Sequence, residues 1–170
     1  MFLLAPLRYL AEAVSAKDSP RQMAAGFAIG ALAGLIPKSS LLAHAALLAL
    51  SVFEVNMGAG LLGACLFTAA SPLFVPLTHR LGLLLLTGVP ALRPLWTFLY
   101  NLPIVPWTAF NNTVVLGSFV LGAAALWPLY LGTQPLFERW QAAYGEKIRK
   151  FWLVRLLAGA QTAAKVGGGQ

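Results

Sequence analysis

Charge is scarce in this 170-residue chain: Asp, Glu, Lys and Arg make up 10% of it, where a soluble domain carries about 25%. That deficit excludes an ordinary water-facing surface. Cysteine is nearly absent. Cys65 stands alone within an apolar run, so no intrachain disulfide forms, no zinc or iron–sulfur pattern exists, and the side chain reads as a small buried hydrophobe. Catalytic motifs are missing as well. There is no Ser-His-Asp set, no Cys-His pair in plausible context, no P-loop and no dinucleotide fingerprint, so neither catalysis nor a cofactor or metal is expected. Long hydrophobic runs are few. A spanning helix needs roughly 20 apolar residues to cross about 30 Å of hydrocarbon, and only Thr113–Leu131 reaches that unaided. A secretory signal is lacking too. No basic residue precedes the apolar Phe2–Leu7 stretch and Arg8 interrupts it, so the N-terminus is expected to be retained.

What is present is apolar: hydrophobic residues make up 59% of the chain, and its mean hydropathy is +0.76. The reading is an all-α integral membrane protein with three parts. Residues 1–19 form an amphipathic interfacial helix, residues 20–132 a helical membrane domain, and residues 133–170 a basic amphipathic helix with a flexible Gly167-Gly168-Gly169 end. Net charge is +7, and the basic residues cluster at the two ends. That distribution suits anionic lipid head groups and topology control rather than nucleic acid, and places both termini in the cytoplasm.

The apolar segments are mostly short. Gln22–Ile36 stops at Pro37, Leu41–Phe53 at Glu54, Met57–Ala70 at Ser71-Pro72, Leu73–Leu86 at Thr87-Gly88, and Leu92–Tyr100 at Asn101. Their lengths predict re-entrant or paired half-helices, which survive in a bilayer only where protein or a wet cavity covers the break. Ser39, Ser40, Ser71, Asn111 and Asn112 stand where helices restart and can accept from first-turn N–H groups. Gly26, Gly30 and Gly34, at four-residue spacing, and Gly117 further on predict close helix packing.

Ionisable side chains in an apolar chain are candidate functional groups. Lys38 beside Ser39 and Ser40 has two readings: a lipid head-group site at a helix start, or a lysine snorkelling to the interface. Arg80, after His79, either holds a phosphate bidentately or pairs with Glu54. His79 joins Arg80 as a candidate for the lipid head-group or polar cleft. His79 and His44 could also share a metal or a proton, but without a carboxylate cluster or metal-ligand spacing each reads better as a satisfied structural histidine. Asn101, Asn111, Asn112 and Thr113 either line a lipid-facing cleft or satisfy backbone groups freed by Pro103 and Pro106.

The pattern Gly26, Gly30, Gly34, Pro37, then Asn56, then a proline-led helix ending near Leu81-Gly82, resembles a bacterial family of small membrane proteins, the domain of unknown function numbered two thousand and sixty-two. The segments PLTHRLGLLLLTGVPAL, LWTFLYNLP and FNNTVVLGSFVLG are similar to one subfamily of about this length. Ser71-Pro72 departs from the Asn-Pro common in that family. The resemblance implies a bacterial inner-membrane protein encoded beside a large single-anchor envelope protein that resembles periplasmic lipid carriers. The expected function is therefore a non-catalytic subunit that anchors or feeds such a carrier in phospholipid transport. The alternative is a self-sufficient lipid scramblase or small transporter.

Overall fold

A computed structural model describes residues 19–167, with side chains through residue 143. The expected interfacial helix before residue 19, and the side chains of the basic cluster from Lys147 onward, lie outside the described residues. Every element described is helical.

Helix α1 (Pro20–Leu35) begins at Ser19, whose hydroxyl accepts from the Gln22 N–H while the Gln22 side chain accepts from the Ser19 N–H at 2.9 Å. Proline at its first position lacks only a hydrogen that has no helical partner there. Helix α2 (Leu41–Val52) follows a tight turn, and α3 (Met57–Leu83) follows a second. Buried Asn56 ties the start of α3 to the start of α1: its side chain caps α3 by accepting from Ala59 N–H at 2.6 Å, and its own N–H reaches the Gln22 carbonyl at 3.1 Å.

The glycines set the packing. Gly26 faces Asn56, Gly30 faces Gly60, and Gly34 faces Ala64 and Thr68, so α1 and α3 run parallel with backbones in contact. The long last helix, α5 (Thr113–Gly167), runs antiparallel to α3, because Gly82 meets Thr113 and Gly117 meets Thr78. α1 is wedged between them: Met23 and Ala24 pack with Ala59 and Phe137 at one end, and Ile36 and Ala43 with Val115 at the other. α2 buries only Ala43 and Leu50 and leaves the rest of its surface open.

Two helical stretches are long and apolar enough to cross a membrane, Met57–Gly88 and Thr113–Ala143. The break expected at Ser71-Pro72 is therefore absent. Pro72 removes the N–H that Thr68 O would accept, and the Ser71 hydroxyl supplies a replacement donor to that carbonyl at 2.9 Å. Ser71 repairs a helix rather than starting one. Likewise α5 passes Leu131 and Gly132 without a break, with Pro128 and Pro135 inside it. Cys65, expected inside, is exposed. Gly63 and Ala64 occupy the inward face of α3, and the next residue turns outward by about 100°.

Candidate functional site

Between α3 and α5 lies a connector of irregular and helical pieces. α3 ends in a π turn (Leu84–Gly88), followed by a 3-10 turn (Pro90–Leu92), the short helix α4 (Arg93–Tyr100), and a second 3-10 turn (Val105–Thr108). A π turn carries i→i+5 backbone bonds, and carbonyls at this end of α3 also take side-chain donors. Thr87 Oγ1 donates to Leu83 O at 2.8 Å, and Trp96 Nε1 donates to Leu85 O at 3.0 Å. The second bond ties α4 back over the end of α3. Ala109 takes the left-handed conformation (φ 56°) and its N–H reaches Pro106 O. The chain thereby turns so that Phe110 is buried, its ring 5.9 Å from that of Trp96.

These pieces enclose an open groove of about 310 Å³. Leu86, Trp96 and Phe110 give it an apolar lining, and Thr97, Tyr100, Asn101 and Asn111 give it hydroxyls and amides. None of its lining residues is charged. Such a concavity suits an apolar body carrying a few neutral polar atoms.

The sequence-derived candidates separate. Asn111 lines the groove, whereas Asn112 caps α5 by accepting from Val114 and Val115 N–H at 2.9 and 3.2 Å. Asn112 thus meets the expectation that it caps a restarting helix, and it does so for first-turn N–H groups of α5 rather than for groups freed by Pro103 or Pro106. Asn101 belongs to the lining and also donates to Thr97 O at 2.9 Å. Thr113 Oγ1 lies 2.7 Å from His79 Nδ1, which fixes that ring against the start of α5. His44 is held by Ser40 O at 2.9 Å.

Lys38, Ser39 and Ser40 do not border the groove. Ser40 is fully buried, donates to Pro37 O at 2.9 Å and caps α2 through the Ala43 N–H. Ser39 is exposed. The Lys38 ammonium folds back and donates to Ala33, Gly34 and Ile36 carbonyls at 2.5, 3.0 and 2.9 Å. Its three hydrogens are committed to the C-terminal end of α1, where a positive charge also complements the helix dipole. It therefore sits on the end of one helix rather than at the start of the next. Replacing Lys38 by Met leaves these carbonyls unmet, and the expected loss is about 1–2 kcal/mol, after allowance for exposure. The midpoint of detergent-solubilised unfolding checks it. A head-group ligand would instead lose bound lipid at unchanged stability.

The Arg80–Glu54 pair does not form. Glu54 precedes the first turn of α3 and Arg80 lies in its last, so about 35 Å of helix separates them. Met57 to Leu83 is one continuous helix, a continuity the expected proline break concealed.

α4 is the element that sequence reading underrated. Trp96, Tyr100 and Trp107 gather between two long apolar stretches, and that clustering is the signal the sequence carries.

Two comparisons bear on this arrangement. A family model described as an uncharacterized protein conserved in bacteria (DUF2062) matches residues 6–144. An uncharacterized protein of Treponema pallidum (strain Nichols) is 31% identical over 121 residues, covering 71% of this chain and 74% of the relative. No solved structure matches. The match runs through the glycine seam, the connector and the first part of α5, and on that extent the chain belongs to the DUF2062 family.

Proposed function

We propose that this chain is a non-catalytic, multi-pass inner-membrane protein that holds the apolar part of a phospholipid in the connector groove and presents it to a larger periplasmic envelope protein. The groove carries the reading: an apolar floor with a neutral polar rim, placed where the two long apolar helices are joined. Exposed apolar side chains favour a bilayer around those helices. Leu73 on α3 is 82% exposed and Trp127 on α5 is 69% exposed, and hydrocarbon covers such residues at no cost.

Orientation follows from charge and packing. Met23 lies against Phe137, so Arg21 and Arg139 share the end opposite the connector. The positive-inside rule puts that end, and with it both termini, in the cytoplasm. The groove then opens toward the periplasm, with Trp107 (76% exposed) and Tyr100 at interfacial depth. α1 and α2 read as a re-entrant hairpin. At 16 residues α1 extends about 24 Å, short of a hydrocarbon core of about 30 Å. The Lys38 and Ser40 hydrogen bonds satisfy its tip, a requirement wherever water is scarce. The interfacial helix expected at residues 1–19 would flank this unit, whereas α5 runs unbroken past residue 133, so the basic stretch from Lys147 would continue the span directly.

A photo-reactive residue at position 107, activated in cells and read by mass spectrometry, tests the reading. The expected adducts are a large envelope protein and phospholipid. A stable monomer with neither adduct would refute it. The alternative, a self-sufficient scramblase, rests on the α1–α2 hairpin, where Ser39 at the tip is exposed. It predicts that purified protein in liposomes moves labelled phospholipid between leaflets with no partner present.

A further inference from the structure

We infer that Asn111 and Tyr100 donate hydrogen bonds to the ester carbonyls of a glycerolipid held in the groove, so the ligand class is an ester-linked acyl lipid. This deepens the lipid reading above and rests on it.

The lining side chains divide by what they already bond. Trp96 gives its indole N–H to Leu85 O, and the Thr97 hydroxyl donates to Arg93 O at 3.0 Å. Asn101 donates to Thr97 O at 2.9 Å, at the end of α4. Asn111 and Tyr100 have no side-chain hydrogen bond among the described residues. Trp96, Thr97, Tyr100 and Asn101 share one face of α4 by their spacing, so the phenol stands on the face that carries the groove. Asn111 is held between two anchored neighbours, since Phe110 is buried beside Trp96 and Asn112 caps α5. The groove thus presents an amide and a phenol, each with a hydrogen to donate, beside the apolar surfaces of Leu86, Trp96 and Phe110.

The chemistry that matches is an uncharged acceptor attached directly to hydrocarbon. A phosphate does not fit inside, because no lining residue is cationic. A bare alkyl chain would cover the two donors without accepting from them, and a donor desolvated without a partner costs affinity. An ester carbonyl is neutral, accepts only, and joins an acyl chain to its glycerol. Size agrees: about 310 Å³ is at the small end of ligand sites, so the groove takes an ester junction and the adjoining chain rather than a whole diacyl lipid.

Depth favours a membrane lipid as the source. The apolar stretch Met57–Gly88 ends at the connector, and Thr113–Ala143 begins there. Leu86 lies at the end of the first, and Asn111 just before the second. The groove is therefore level with the edge of the hydrocarbon, where the esters of a bilayer lipid lie.

The test uses the full chain in detergent micelles, offered equal amounts of ester-linked phosphatidylglycerol and its dialkyl ether counterpart of the same chain length. Retained lipid is read by native mass spectrometry. The native chain is expected to prefer the ester by about fivefold, the scale of one net hydrogen bond. The double variant Asn111→Leu, Tyr100→Phe is expected to bring the ratio near one. It removes no hydrogen bond within the described chain, so its unfolding midpoint is expected to stay near the native one. Arg93→Gln, outside the lining, is expected to keep the preference. Equal retention of the two lipids by the native chain overturns the inference, as does an unchanged preference in the double variant or a lost one in Arg93→Gln. So does a photo-reactive residue at position 97 that yields polypeptide adducts alone in cells, because the groove then serves a protein partner. Ester and ether retained equally, with less of both in Trp96→Ala, sinks this inference and leaves the lipid reading standing. The lipid reading itself fails when the native chain retains neither lipid, or when Trp96→Ala leaves the total unchanged.

Discussion

Replacing Gly30 by leucine is expected to keep the folded chain from accumulating. A Cβ at Gly30 falls inside contact distance of the Gly60 carbonyl oxygen and reaches 3.0 Å from Ala64 N. These obstacles are backbone atoms of α3, which do not rotate aside as a side-chain end does. Moving α1 away would also open the contacts of Gly26 with Asn56 and of Gly34 with the Ala64 carbonyl. Overpacking costs about 1–3 kcal/mol where side chains can adjust. Here the whole seam must part, so a loss of at least about 3 kcal/mol is expected, a large share of a typical margin of about 5–15. Folded yield and the unfolding midpoint in detergent measure it. Gly132→Leu is the control, because a Cβ there meets nothing within 4 Å. A Gly30→Leu chain that accumulates and unfolds like the native one would show that α1 and α3 do not pack through their backbones.

Trp96→Ala is the second large change, and its effect falls on the groove. Trp96 supplies part of the apolar lining, packs beside Phe110, and donates to the Leu85 carbonyl. Removing it exposes Phe110 and leaves that carbonyl of the π turn without its side-chain donor. Truncating a buried aromatic costs about 3–5 kcal/mol, and this half-buried residue is expected to cost about 2. The lipid retained on purification is expected to fall about tenfold, which corresponds to about 1.4 kcal/mol of binding. Trp96→Phe separates the two roles, since it restores an aromatic lining without the N–H. Retention that recovers in the phenylalanine variant assigns the effect to the apolar lining. Native retention in Trp96→Ala would remove the groove from the function.

Much of this was legible in the chain. The four-residue glycine spacing of α1 marked a packed face, and the structure places the α3 backbone against it. The boundaries at Ser19-Pro20, Pro37–Ser40 and Asn56 were readable because caps and prolines act locally, through hydrogen bonds within one turn. The interior prolines misled for a related reason. Pro72 looks like a stop, but a helix tolerates proline when another donor reaches the orphaned carbonyl, and the Ser71 hydroxyl does. Lys38 misled differently. Its neighbours in sequence suggested the start of α2, whereas its ammonium folds back to the end of α1. A long flexible side chain has several carbonyls within reach, and sequence order does not choose among them.

Composition and periodicity alone determined that the chain is helical, apolar and basic at its ends, with close packing where glycines repeat. Those are properties of single residues and of neighbours one turn apart. Which helices lie side by side depends on contacts between residues far apart in sequence, and so tertiary structure decided it. It aligned α1 parallel to α3, merged two expected half-helices into one, and kept Arg80 far from Glu54. It also brought Leu86, Trp96 and Phe110 together into a groove that no single segment contains.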